Sequence, residues 1–122
     1  MSDRRDPYAD KYGAVVDATR AGQVTVTVDA VTVTEPRRAG WEASDEQRAL
    51  FIALETARQK PGARITDIEC ARARAEWKAA AYQKHAEQSG KDQRIADKLA
   101  YWTAERDRLR ARDGVRNPGR GR

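Results

Sequence analysis

The sequence has 122 residues and a formal net charge of +5 at pH 7, and hydrophobic residues make up 39% of it. This length fits one domain, and no stretch approaches the roughly 18 apolar residues that a membrane span needs. The N-terminus is charged and no apolar run follows it, which argues against a signal peptide. We therefore expect a soluble, cytoplasmic protein with no membrane partner.

The first predicted element is a helix over residues 8–22. Asp6, followed by a proline, is a favourable helix start, and Tyr8 and Tyr12 open a run at helical spacing that ends at Gly22.

Residues 24–34 alternate valine and threonine in two runs whose phase changes at Asp29 and Ala30. A two-residue turn there makes a β-hairpin with valine on one face and threonine on the other. Two strands alone are marginally stable in water, so the valine face must be covered. Val26 and Val33 are therefore candidate contacts for a partner.

Trp41 lies in the loop that follows the hairpin, three residues after Arg38 in the sequence and four after Arg37. It either covers the valine face or anchors an interface with a partner. Residues 44–47 have the form of a capping box led by Ser44, which predicts a helix that ends near residue 60.

A second capping box, from Thr66 to Glu69, predicts a helix over residues 66–89, with Ile65 and Cys70 as a hydrophobic staple. A short connection at Gly90 leads into a helix over residues 92–112, so the two helices are expected to run antiparallel. The side chains expected to face the partner helix are Ile95, Leu99, Trp102 and Leu109.

The last predicted segment is a flexible basic tail over residues 113–122. Residues 110–122 hold five arginines and one aspartate, which is +4 of the total charge of +5. Such a tail contacts nucleic-acid phosphates or an acidic partner, or is only a solubilising extension. The candidate contacts are Arg37, Arg38, Arg110, Arg112, Arg116, Arg120 and Arg122.

Together these elements predict an α+β fold that is mostly α: an N-terminal helix, a two-stranded antiparallel hairpin and three helices, the last two forming a long αα-hairpin. One domain covers residues 1–112, made of a helix-hairpin-helix part (6–60) and the helical hairpin (65–112). Val, Ile, Leu and Phe supply only about 14% of the residues, below the roughly 20% usual for an independent core. Further copies of the chain or another macromolecule are thus expected to contribute to stability.

No pattern of residues indicates catalysis, a metal site, a cofactor or a small-molecule substrate. His85, the only histidine, reads as a solvated helix residue rather than a general base. Cys70, the only cysteine, reads as a small buried hydrophobe rather than a reactive thiolate. We therefore expect a protein that is not an enzyme.

The order helix, β-hairpin, helix over residues 7–60 resembles the small head-completion proteins of tailed phages of the lambda W type. The matching segments are 8–22, 24–34 and 44–59. Abundant alanine and arginine with few lysines is typical of a GC-rich genome, such as that of an actinobacterium or its phages. The resemblance implies a head-tail connector: an oligomeric ring that also binds other virion proteins and is located in the virion as well as the host cytoplasm.

Two other functions fit the sequence. One is a nucleic-acid-binding accessory or regulator that uses the basic tail. The other is a small inhibitor or antitoxin that binds a host protein through the edge of the hairpin.

Overall fold

The computed structural model describes residues 7–114 and the backbone of residues 3–5. The fold is α+β and mostly helical, as predicted. In chain order, the elements are β1 (Asp3–Arg5), α1 (Ala9–Tyr12), β2 (Val15–Asp17), β3 (Gln23–Val28), β4 (Val31–Pro36), α2 (Glu42–Arg58), α3 (Asp67–Ser89) and α4 (Gln93–Asp113).

The β3–β4 hairpin has the predicted register, with Val26 opposite Val33 and threonines opposite threonines. Asp29 and Ala30 form the turn, and their φ angles of 51° and 69° lie in the left-handed region that a type I′ turn requires at both positions. Cross-strand pairs of threonine hydroxyls lie 3.0 Å apart on the outer face. The alternating sequence therefore determines both the turn and the two faces.

The predicted helix over residues 8–22 is wrong. The helix α1 is a single turn that ends at Gly13, whose φ of 64° is left-handed. The chain then forms β2, which pairs with β3, and β1 pairs with β2, giving an antiparallel sheet in the order β1-β2-β3-β4. The helical spacing of the tyrosines holds for one turn only, and the β-branched pair Val15 and Val16 favours a strand after it.

The valine face of the sheet is covered by the chain itself. Val24, Val26 and Val28 are fully buried, and α2 packs on β3 and β4. The apolar side of α2 that completes this core consists of Ala49, Leu50, Ala53, Leu54 and Ala57.

The N-terminus of α2 differs from the prediction. The helix begins at Glu42, and no side chain caps it, so Ser44 lies inside the first turn with its hydroxyl buried and without a hydrogen-bond partner in the described part of the chain. Asp45 instead accepts hydrogen bonds from the backbone N–H and the guanidinium of Arg38. Asp45 thus ties the chain before the helix to its first turn, but it does not replace the N-cap that the capping box assigned to Ser44, because the N-cap residue of α2 makes no side-chain hydrogen bond to the helix.

The helical hairpin is confirmed. Thr66 and Glu69 form the predicted capping box, with the Glu69 N–H donating to Thr66 Oγ1 (3.2 Å) and the Thr66 N–H donating to Glu69 Oε1 (2.8 Å). Gly90 ends α3, and the side chain of Asp92 caps α4. The predicted tail begins at the end of α4, and its residues 115–122 lie outside the described residues.

Candidate functional site

The outer half of the α3–α4 hairpin extends beyond the core. The last buried residue of α3 is Ala79, and Leu109 is the one residue of α4 that is buried. Between them, no residue of 80–108 is buried. We call residues 80–108 the arm; its α3 part of ten residues is about 15 Å long.

The predicted inward row of α4 is only partly covered. Leu109 is buried, but Ile95, Leu99 and Trp102 keep part of their surface in solvent, because α4 packs chiefly against α3. Tyr101 lies edge-on to Trp102, with ring centres 5.1 Å apart, and is 57% exposed. It is the most exposed large hydrophobic side chain in the described part of the chain, so the arm presents an apolar surface to solvent.

At the base of the arm, a buried polar cluster joins α1 to both long helices. The Tyr8 hydroxyl donates to Asp113 Oδ2 (2.9 Å) and lies 3.2 Å from the Glu69 carbonyl oxygen. Arg72 Nη1 lies 3.2 Å from the same Asp113 oxygen, and both side chains are almost completely buried. Burial and the nearby Asp113 carboxylate raise the pKa of Tyr8 well above its ordinary value.

The Glu69 carboxylate extends this cluster. It accepts hydrogen bonds from Lys11 Nζ (2.6 Å), the Tyr12 hydroxyl (2.5 Å) and the Thr66 N–H. Burial opposes ionisation of Glu69, but the hydrogen bonds from Lys11 and Tyr12 outweigh it and hold its pKa below the ordinary value. Burial and the contact with Glu69 raise the pKa of Tyr12 to about 12. These side chains bind one another, which indicates a structural role.

Most described arginines that were predicted to contact a nucleic acid or an acidic partner form ion pairs within the fold. Arg37 Nε donates to Glu46 (2.9 Å), and Arg38 pairs with Asp45 (2.8 Å). Hydrogen bonds from Arg38 outweigh burial and hold the pKa of Asp45 below its ordinary value.

Toward the C-terminus, Arg110 makes two hydrogen bonds to Glu76 (2.5 and 2.8 Å), whereas Arg112 is exposed. Arg116, Arg120 and Arg122 lie outside the described residues.

The three residues predicted to contact a partner, Val26, Val33 and Trp41, do not form one surface in the structure. Val26 is fully buried, and Val33 is half-buried against the core, so neither forms an open apolar face. Trp41 is partly exposed and lies edge-on to His85 of α3, with ring centres 4.9 Å apart. It therefore does not cover the valine face, and its role as an interface anchor stays a prediction.

Trp77 and Trp102 are half-buried and lie beside cations that the sequence analysis did not single out. The Trp77 ring stacks on Phe51 (5.7 Å) and lies 4.4 Å from Lys78 Nζ. Arg74 lies 5.4 Å from the centre of the Trp102 ring. The signal in the sequence was the spacing of Arg74, Trp77 and Lys78, which places them close together on one helix.

Cys70 and a depression on the outer face of the sheet are the remaining candidates for chemistry among the described residues. Cys70 is buried, and burial raises the pKa of its thiol to about 11, as expected for a packing residue. No group of three metal-binding side chains occurs among the described residues. The depression on the outer face of the sheet is lined by Asp17, Thr19, Arg20, Gln23, Thr25 and Thr34. Within it, Thr19 donates both its N–H (3.0 Å) and its hydroxyl (2.9 Å) to Asp17 Oδ1, a local contact typical of a turn.

None of the helices in residues 7–114 has the length and apolar character of a membrane-spanning segment. Comparisons of the chain with protein-family models, with curated proteins and with solved structures find no match.

Proposed function

We propose that this protein is a non-enzymatic structural subunit that works in a macromolecular assembly through its arm. The observation that carries this proposal is the absence of any buried residue between 80 and 108, although Ile95, Leu99, Tyr101 and Trp102 lie there. Covering their remaining apolar surface contributes roughly 25 cal/mol per Å². A helical hairpin that ends in such a surface gains stability when another chain packs on it.

The partner that fits the arm best is another copy of it. The arm has six lysines and arginines and five acidic residues, so two copies do not repel each other. A nearly neutral surface also offers little attraction to a strongly charged partner. The uncovered apolar surface of the arm and its small net charge both support homo-oligomerisation as the form of assembly.

The specific form that we propose is a head-tail connector of a tailed phage of actinobacteria. Two of the three segments behind the resemblance, the hairpin and the helix after it, support this form. The first segment folds as one helical turn and a strand, so the connector proposal depends on the other two and on oligomerisation.

Light scattering on the full chain, over about a hundredfold range of concentration, tests the proposal. We expect a mass above that of the monomer that rises with concentration, and closed rings in negative-stain electron microscopy. Tyr101→Arg should return the protein to the monomer because Tyr101 is the most exposed large hydrophobic side chain of the arm.

The matched control is Ala21→Arg, which adds the same charge at an exposed loop position away from the arm and should leave the oligomer intact. A wild-type protein that stays monomeric at every concentration contradicts the proposal.

A further inference from the structure

Each of the three tryptophans lies partly exposed with a cation near its ring. We call these residues the basic–aromatic face. The distances from cation to ring centre are 4.6 Å for Arg38 on Trp41, 4.4 Å for Lys78 and 5.8 Å for Arg48 on Trp77, and 5.4 Å for Arg74 on Trp102.

The face is continuous across the helices. Arg74, Lys78 and His85 are spaced by four and seven residues, which places them on one side of α3. His85 contacts Trp41, which precedes α2, and Arg74 contacts Trp102 of α4. Tyr82 lies against His85 on the same side, with ring centres 5.6 Å apart. Aromatic rings and cations therefore alternate along α3.

The charge that this face presents to solvent is positive. The side chain of Arg38 is 57% exposed, whereas its partner Asp45 is 6% exposed. Arg48 is likewise 42% exposed above Glu35, which is 22% exposed. Arg74 forms no ion pair within residues 7–114. In both ion pairs the arginine is therefore more exposed to solvent than its carboxylate partner.

Lys78, one turn from Arg74, also has no carboxylate partner among the described residues. Further along α3, Lys84 pairs with Glu87 (3.5 Å) and lies near Glu42. Lys84 therefore has carboxylates beside it, whereas Arg74 and Lys78 have no ion pair within the described residues.

We propose that the basic–aromatic face binds single-stranded nucleic acid, with phosphates on Arg74 and Lys78 and bases against the rings of Trp77 and Trp102. Cations interleaved with aromatic rings are the chemistry that single strands require, because phosphates need positive charge and unpaired bases stack on π-faces. Paired bases in a duplex cannot reach these half-buried rings, so the face favours a single strand. This binding goes beyond the assembly role of the arm, although the two surfaces share Trp102.

The test is fluorescence anisotropy of a labelled oligothymidylate of about 20 nucleotides with the full chain, at several salt concentrations. The double variant Arg74→Gln, Lys78→Gln should weaken binding by about tenfold at low salt. It should also reduce the slope of log K against log salt by about 1.4, because each lost phosphate contact contributes about 0.7. The oligonucleotide should quench tryptophan fluorescence in the wild type, and far less in the variant.

The matched control is Arg20→Gln, Lys60→Gln, which removes the same charge at exposed positions outside the face. It should keep the wild-type affinity within about twofold, and circular dichroism should show unchanged helix content in both variants.

Three results overturn the proposal: no binding at low salt, an equal loss in the control pair, or binding that survives Arg74→Gln, Lys78→Gln but is lost when Arg116, Arg120 and Arg122 are replaced. The last result assigns the contact to the tail.

Discussion

Replacing Tyr8 with phenylalanine tests the buried cluster that joins α1 to α4. The variant keeps the ring, which is 1% exposed, and removes only the hydroxyl that donates to Asp113 Oδ2 at 2.9 Å. The Asp113 side chain is fully buried and its Oδ1 has no partner within the described residues. Arg72 then becomes the main remaining support of a buried charge.

A hydrogen bond to a charged group contributes about 1.5–3 kcal/mol, and a buried acceptor left with fewer partners adds to the loss. We therefore expect Tyr8→Phe to lower the free energy of unfolding by about 2–3 kcal/mol, a fall in melting temperature of roughly 6–12 °C for a domain of this size. Urea and thermal denaturation followed by circular dichroism measure this change.

Tyr101→Phe is the control for Tyr8→Phe, since it removes a hydroxyl from an exposed ring, and it should change stability by less than about 0.5 kcal/mol. In a double-mutant cycle, Tyr8→Phe and Asp113→Asn should be non-additive by about 1 kcal/mol because the two groups touch. A Tyr8→Phe protein as stable as the wild type, with additive effects in the cycle, refutes the inferred hydrogen bond.

Four further changes in stability are expected. Ala30→Gly should stabilise the protein by about 1 kcal/mol in urea denaturation, because alanine is strained at a φ of 69°; an unchanged midpoint would contradict the type I′ turn. Thr66→Ala should cost about 1 kcal/mol by removing the N-cap of α3, an effect that Thr19→Ala should not reproduce. Stability should fall between about pH 10 and 12, because the raised pKa of Tyr12 favours the folded state only while the hydroxyl stays protonated; Tyr12→Phe should lessen this fall without abolishing it, because the raised pKa of Tyr8 contributes in the same way. Stability should also fall as the pH drops below about 4.5, because the lowered pKa of Glu69 favours the folded state only while the carboxylate is ionised, and Glu69→Gln should reduce this dependence.

Local patterns predicted the elements whose structure is decided locally. The change of phase at Asp29 and Ala30 predicted a hairpin with the observed register, and Thr66 with Glu69 predicted the start of α3. Both rest on contacts between residues that are close in the sequence. The helical spacing of Tyr8 and Tyr12 was misleading, since pairing with β3, a longer-range interaction, decides the conformation of the residues after Gly13.

The candidate site was less predictable because its residues meet across the fold. Tyr8 and Asp113 are separated by 105 positions in the chain, and Arg74 meets Trp102 from a different helix. Arg37 and Arg38 were predicted to contact a nucleic acid or an acidic partner, and only the folded chain brings Glu46 and Asp45 next to them. Charge counts identified the basic segments, but they did not show which arginines and lysines remain outside ion pairs within the fold and can bind a partner.

The contact between Tyr8 and Asp113 brings the two ends of the described residues 7–114 close together. The loop at Gly90 lies at the opposite end of the long helices. A circularly permuted protein, with residues 7 and 114 joined by a short glycine linker and new termini opened after Gly90, loses the pairing of β1 with β2 but should keep the other hydrogen bonds of the fold. The new termini would allow a fluorophore or affinity label to be attached at the tip of the arm, far from the sheet.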